Sequence, residues 1–538
     1  MQASNSTHLR QSGAHPTASA EPVSAQTHAQ PRLAIRALAV LAVLGILGLS
    51  LVNLTVFPRP WFDEGSHLHV PKTLVKFGVY ADYSSEGFRY YGPSIGIGPT
   101  VMLPVAAAVR LLGIGLMQAR LVMVAYLLVA IAAMFGLARA IGGARMAWLA
   151  GAILVGSQAI NLLEWGRQMV GEVPALAFLA LGWLAWLKAE QATRARTLVL
   201  AGVSFGLAAV TKSQTALILV PTLFVAWLAN LIFYRRLPQR HFLIPLIITV
   251  ACFGAWQVIS LAFLGPGTLA ENLDLLRQFS SGAAFVFSPK LIAQSTKNLL
   301  GFDVFAGWLA PILVYGLTIS LRRSADGQRW GNLMIFVMGG LVWYVFASIS
   351  WLRYAFAPLA MVTLVAARLI DDLWARFDPR PRAWWAALQR GDFRAAIAPA
   401  TLAVFALMSL APLGLTARQI IDPPEPSAQQ VADYLNANVS REALIETWEP
   451  ELGFLTDHRY HFPPHVLLDT AVRNVWLDGP APAERYDFTA ESPDYVVVGA
   501  FAEYTGMYPL EKLAGRFQLI ASFGAYDVYA IASASASP

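Results

Sequence analysis

Eleven long apolar runs, separated by short basic stretches, dominate this 538-residue chain. A chain built that way has few places to fold except inside a lipid bilayer, where only helices or closed barrels satisfy their backbones. The runs lie at residues 33–57, 118–138, 146–163, 173–188, 197–212, 215–233, 242–264, 302–321, 332–350, 354–370 and 396–415. A helix needs roughly 20 residues to cross the hydrocarbon core, and each run approaches that length. Composition agrees: 56% of residues are hydrophobic and 13% charged, with a mean hydropathy of +0.52. Soluble proteins carry about 25% charged residues, so a disordered chain is excluded and a large soluble enzyme disfavoured.

The distribution of charge sets the orientation. The net charge is +6 and the pI near 9.3, yet residues 418–538 hold 7 basic and 17 acidic side chains, a net of −10. The basic excess therefore sits in the short connections between runs, as in cytoplasmic loops, and not on a nucleic-acid-binding face. With the N-terminus inside, the cytoplasmic connections hold Arg139 and Arg145; Lys188, Arg194 and Arg196; Arg235, Arg236 and Arg240; Arg322, Arg323 and Arg329; and Arg376, Arg380, Arg382, Arg390 and Arg394. An odd number of spans then leaves the acidic C-terminal part outside. The expectation is a multi-pass protein of the inner or plasma membrane. Cys252 is the single cysteine, so no disulfide or cysteine-based metal site can form within the chain.

The organisation follows. Residues 1–31 read as a disordered cytoplasmic tail and 32–417 as a mostly α, polytopic helix bundle with outer loops at 58–117 and 265–301. Residues 418–426 are a linker, 427–531 a small external α/β domain, and 532–538 a disordered tail. Gly98–Gly113 is apolar but short and contains Pro104 and Arg110. As a span it would reverse every later loop, so an interfacial or re-entrant helix is expected. In the C-terminal part, 427–438 suggests a helix, and 443–446, 495–499 and 526–531 suggest strands. His458, His461 and His465, with Asp457 and Asp469 nearby, have irregular spacing and suggest a solvated loop.

Ionisable residues at the ends of apolar runs are functional candidates, and here they gather on the outer side. The first outer loop opens with Trp61-Phe-Asp63-Glu64-Gly-Ser-His67-Leu-His69. Adjacent carboxylates offer a general base and an orienting or metal-binding partner; Asp63 equally suits the N-cap of a helix running to about Phe77. His67 falls on the same helical face as Asp63, as a polar wall residue or half of a metal site. Further along, Arg89-Tyr-Tyr91 precedes a glycine-rich stretch suited to close backbone approach and sugar stacking. Between later runs come Glu164-Trp-Gly-Arg167, then Glu172, the turn at Lys212, and Trp351-Leu-Arg353-Tyr354. A lysine and arginines on the outer side run against the usual charge bias and suit an anionic, lipid-linked substrate. No phosphate-loop glycine motif appears, so a nucleotide-driven mechanism has no support.

The order of these stretches resembles the GT-C glycosyltransferases, specifically the protein O-mannosyltransferase-like set with its bacterial aminoarabinose-transferase relatives. The resemblance spans about 33–370 and rests on Phe62-Asp63-Glu64, Arg167 to Pro174, Leu207 to Lys212, and Arg353-Tyr354 to Pro358. It implies a polyprenyl-phosphate sugar donor, an inverting single displacement, Asp63 as catalytic base with Glu64 beside it, and Glu172, Lys212 and Arg353 lining the donor-phosphate and acceptor pocket. His67, Arg167 and Tyr354 join the substrate-binding set. Many relatives carry a Pro-Pro-Leu motif in the first outer loop; here Gly92 to Pro99 stands in its place, and Arg89 and Tyr91 beside it are assigned to the substrate. The acceptor would be a protein, lipid or glycan. No cofactor is assigned; the acids could hold a divalent cation, or Lys212 and Arg353 could make one unnecessary. A transporter or flippase of a lipid-linked sugar is the alternative, and a receptor working through its C-terminal domain is a third reading. The loop at 265–301 is expected to cover the site.

Overall fold

The computed structural model describes residues 30–90, 96–192, 194–264, 267–274, 285–374 and 381–532. Tyr91, Arg376, Arg380 and most of both expected tails lie outside the described residues. The chain divides into two units, Met1–Gly48 and Leu49–Pro538. The helix Gln30–Leu51 begins in the first unit; everything below concerns the second.

Among the described residues, seven helices are long and apolar enough to cross a membrane: Leu116–Gly156, Glu172–Glu190, Ser213–Tyr234, Arg240–Phe263, Ala325–Ala347, Leu352–Trp374 and Pro399–Ile421. The difference from eleven runs has physical causes. The runs at 118–138 and 146–163 are two helical stretches of Leu116–Gly156 that meet at a break at Gly143, whose φ of 84° suits a residue without Cβ. Two others are shorter apolar helices, Ala195–Thr211 and Leu309–Ser320, and the run at 33–57 corresponds to the helix Gln30–Leu51. The segment expected at the interface is the helix Pro99–Leu112, which buries Val101, Met102, Val105 and Val109. These helices make the chain a multi-pass membrane protein of mostly α architecture.

The helix Phe62–Phe77 follows the first span and organises the region outside the bundle. Asp63 and Glu64 occupy its first turn and Lys76 its last, each favourable to the helix dipole. Gly78 ends it at φ 73°, donating its N–H to the Leu74 carbonyl. Side chains 3.6 residues per turn apart give the helix three working faces. Leu68 packs with Val101, Met102, Val105 and Met169. Asp63, Ser66 and His67 face a cavity. A third stripe, Phe62, Gly65, His69, Lys72 and Lys76, lies against residues 448–501. There Phe62 stacks on Phe501 at 3.8 Å, and a Cβ at Gly65 would strike the Glu451 backbone. The Lys72 ammonium donates to the carbonyls of Gly453 at 2.7 Å and Thr456 at 2.6 Å, and Lys76 pairs with Asp457 at 2.6 Å.

A hairpin follows, β1 (Ala81–Ser84) with β2 (Gly87–Tyr90). The C-terminal part contains the helix Ser427–Asn438 and five strands: β3 (Leu444–Thr447), β4 (Arg459–His461), β5 (Tyr495–Val498), β6 (Phe517–Phe523) and β7 (Tyr526–Ile531). Their order is β4-β3-β5-β7-β6, parallel across β4, β3 and β5 and antiparallel from β5 onward. Two cores cover this sheet. One holds Val431, Leu435, Ile445 and Tyr460; the other holds Trp448, Phe488, Val496 and Phe517. The histidine stretch expected as a solvated loop is corrected here: His461 lies in β4, and His458 and His461 are both buried. Three residues are too few to show a strand's alternation.

Candidate active site

A cavity of about 2240 Å³ opens where the N-terminus of the Phe62–Phe77 helix meets the bundle. Its polar wall is a ring of four charges drawn from four distant segments. Arg353 reaches Asp63 with Nη1 at 2.5 Å and grips Glu172 with Nε at 2.5 Å and Nη2 at 3.1 Å. Lys212 Nζ donates to Glu172 Oε1 at 2.6 Å. Glu172 and Arg353 have side chains 3% exposed, whereas Asp63 is 31% exposed, so the open end of the ring is the aspartate. A buried charge is tolerable only when paired, and this ring pairs all four.

Local structure explains why these residues converge. Lys212 interrupts two apolar helices with extended backbone at φ −143°, which turns its side chain off both helix axes. Ile97 bridges to it in antiparallel fashion, and Gly98 donates its N–H to the Thr211 carbonyl at 3.1 Å. A Cβ at Gly98 would collide with the Val210 carbonyl, so glycine is required for that approach. Burial lowers the Lys212 pKa, with the Glu172 carboxylate opposing it. Arg353 sits inside three indoles, its guanidinium carbon 5.5 Å from the Trp61 ring, 4.8 Å from Trp165 and 5.1 Å from Trp351. Planar guanidinium stacks on aromatic faces, so the cage fixes its orientation. Trp61 is held in turn, its indole N–H donating to Gln168 at 2.5 Å.

The remaining sequence candidates divide. His67 lines the cavity with Nδ1 2.9 Å from the Met169 carbonyl; burial pushes its pKa down to about 4, so the ring is neutral at pH 7. Tyr354 also faces the cavity. Glu64 does not: its side chain is wholly buried, paired to Arg120 at 2.9 and 2.5 Å, and accepts the Met169 N–H at 3.1 Å. Arg167, also fully buried, donates to the carbonyls of Phe57 at 3.0 Å, Val52 at 2.6 Å and Leu49, closing the end of the first helix. Arg89 pairs with Asp82 at 2.5 Å and lies over the Phe462 ring, away from the cavity lining. Tyr91 lies outside the described residues.

Three groups in the wall escaped the sequence reading. The tryptophan cage is one; its members are scattered at 61, 165 and 351. Glu449 and Glu451 form a second. Both are about 1% exposed at the start of the short helix Pro450–Leu455, and burial raises both pKa values, with that of Glu451 reaching about 7. The third is the set of individual lining residues Gln294, Asn298 and Asp303, which come from the expected covering loop and its C-terminal edge. Below the ring the wall is apolar, with Leu217, Val220, Val250, Phe253 and Trp256.

Residues 98–258 match the family described as dolichyl-phosphate-mannose-protein mannosyltransferase. No curated protein matches the chain by sequence. The fold is similar to that of ArnT from Cupriavidus metallidurans in the apo state, at TM-score 0.59 and 14% identity, covering 94% of this chain and 100% of that one. The same protein bound to undecaprenyl phosphate aligns at TM-score 0.58 and 15% identity, over 93% and 99% of the two chains. The archaeal oligosaccharyltransferase AglB from Archaeoglobus fulgidus, solved with an inhibitory peptide and a dolichol-phosphate, aligns at TM-score 0.54 and 14% identity, covering 93% of this chain and 74% of that one. The chain thus has the GT-C fold of these membrane glycosyltransferases, and within it residues 98–258 carry the match to the mannosyltransferase family.

Proposed function

We propose that this enzyme moves one sugar from a polyprenyl phosphate carrier to a protein, lipid or glycan acceptor on the extracytoplasmic face, with inversion and with Asp63 as general base. The observation that carries this reading is the ring of Asp63, Arg353, Glu172 and Lys212 at the junction of a polar and an apolar cavity wall. An isoprenoid chain fits the apolar wall, and the two neighbours solved with a polyprenyl or dolichol phosphate support that class of donor.

In this mechanism the acceptor hydroxyl oxygen attacks the anomeric carbon as the bond from that carbon to the phosphate oxygen breaks. The hydroxyl proton passes to the exposed carboxylate of Asp63, and the polyprenyl phosphate leaves with its negative charge towards Lys212 and Arg353. The ion pairs occupy three of the five Arg353 N–H groups and one of the three on Lys212, which leaves donors for phosphate oxygens. Glu172 aims both cations. Glu64 and Arg167 act as positioning residues, holding the helix of Asp63 and the end of the first span. Arg353 and Lys212 provide the positive charge that a divalent cation would otherwise bring to a phosphate.

The segment 427–531 acts as an external domain whose loops, including Glu449 and Glu451, form the acceptor side of the cavity. Residues 285–303 lie over the donor side.

The test is release of polyprenyl phosphate from a panel of polyprenyl-phosphate sugars by protein purified in lipid. General-base loss typically lowers turnover by about 10²–10⁴-fold, and Asp63→Asn should fall in that range with its fold intact. Full turnover by folded Asp63→Asn would sink the assignment. Transbilayer movement of intact carrier without consumption would favour a transporter instead.

A further inference from the structure

We propose a divalent metal site, of zinc-binding character, formed by Glu86, His461 and Glu491 and distinct from the cavity. These residues come from three segments: the turn of the β1–β2 hairpin, strand β4, and the loop leading to β5. One ligand atom from each lies within 4.8 Å of the other two. Tetrahedral zinc with bonds near 2.1 Å separates its ligands by about 3.4 Å, so a modest rotation of the two exposed glutamates closes the set. His461 cannot wander: its side chain is 7% exposed, and Nε2 points at Glu86 Oε1, 3.8 Å away, beyond hydrogen-bond distance.

The other face of the histidine supplies the independent observation. Nδ1 lies 2.5 Å from Glu446 Oε2, a carboxylate with no exposed surface. Glu446 is itself fixed by the hydroxyls of Tyr486 and Tyr508, both donating to Oε1 at 2.8 Å. A carboxylate on the far nitrogen is the usual support of a metal-binding histidine: it sets the tautomer so that Nε2 presents its lone pair, and it raises ligand basicity. Here the lone pair would point at the two free carboxylates. One histidine and two glutamates make a hard, mixed nitrogen–oxygen set with a position left for water, which suits zinc.

The site would have a mechanical role. The Ser85 N–H already donates to the Tyr460 carbonyl at 2.7 Å, seating the hairpin turn beside β4. A metal held by Glu86 and His461 would clamp the first loop to the C-terminal sheet.

The test uses tag-free, full-length protein in lipid nanodiscs, stripped with chelator and then titrated with zinc. Metal content is read by mass spectrometry and affinity by competition with a chromophoric chelator. The wild type should retain one zinc per chain. Glu86→Gln combined with Glu491→Gln, both at exposed positions that spare the fold, should weaken binding by more than tenfold. Tyr486→Phe, which loosens Glu446, should weaken it less, and Asp63→Asn should leave it unchanged. A wild type that retains no zinc, or a double variant that binds as tightly as wild type, would overturn the proposal.

Discussion

Replacing Glu64 by Gln separates two roles that neighbouring carboxylates can confuse. Glu64 and Arg120 are both completely buried, joined by hydrogen bonds of 2.9 and 2.5 Å, and the same carboxylate accepts the Met169 N–H at 3.1 Å. The amide keeps the shape and one acceptor oxygen but removes the charge, leaving the Arg120 guanidinium with the Leu54 carbonyl at 2.7 Å as its main partner. Breaking a buried pair by removing one partner costs about 3–5 kcal/mol, and the retained oxygen should hold the loss near 2–3 kcal/mol. At about 1.4 kcal/mol per tenfold, that lowers the folded-to-unfolded ratio roughly 30- to 150-fold. The assay is denaturant titration in mixed micelles beside turnover per folded molecule. Glu64→Gln should shift the unfolding midpoint and leave turnover of the folded fraction within a fewfold of wild type. Glu64→Leu with Arg120→Met should recover much of the stability, since an apolar pair of similar volume replaces the ion pair without an orphan charge. A variant with the wild-type midpoint but a hundredfold loss of turnover would refute this reasoning and return Glu64 to the chemistry.

Two more outcomes follow from the same cavity. Lys212→Met leaves Glu172 in its bidentate grip on Arg353, so the fold should persist while one charge-assisted contact of about 1.5–3 kcal/mol to the donor phosphate is lost; kcat/KM for the donor should fall at least tenfold, and an unchanged value would remove Lys212 from donor binding. His67 has a folded-state pKa of about 4 against 6.5 unfolded, because burial disfavours its charged form. Between those values the unfolded chain binds more protons, so this contribution is complete above pH 6.5 and is lost as pH falls towards 4, by about 3 kcal/mol in all. His67→Gln should flatten that slope, and unfolding midpoints at pH 4, 5 and 7.5 that track the wild type would show the ring is not buried neutral.

The fold was legible where sequence pattern has length. Apolar runs of some twenty residues announce helices, and an ionisable residue at the end of such a run is conspicuous because it opposes the local pattern; Asp63, Glu172, Lys212 and Arg353 all stood out this way, and the structure brings them together. What a linear reading could not supply was facing. Asp63 and Glu64 are neighbours in sequence, but about 100° apart around a helix, one turned to the cavity and the other to Arg120. Arg167 stood out as an outer-side basic residue and Arg120 did not, and the burial of both depends on partners far along the chain, Glu64 for Arg120 and the Phe57 carbonyl for Arg167. Strand β4, with three residues, was too short to announce itself, and with it went the buried setting of His461.

The helix Phe62–Phe77 touches residues 448–501 with every third or fourth side chain, from the ring stacking of Phe62 to the Lys76–Asp457 pair. Gly65 leaves no room even for a methyl group against Glu451. The C-terminal segment is therefore not a cassette that can be exchanged between relatives while the membrane part stays the same. A graft that moved this interface by an ångström would tilt the helix and swing Asp63 with it. Chimeras meant to change acceptor preference should take residues 61–78 along with the C-terminal part as one transplant, keeping Arg353 in the membrane part, where its side chain meets Asp63.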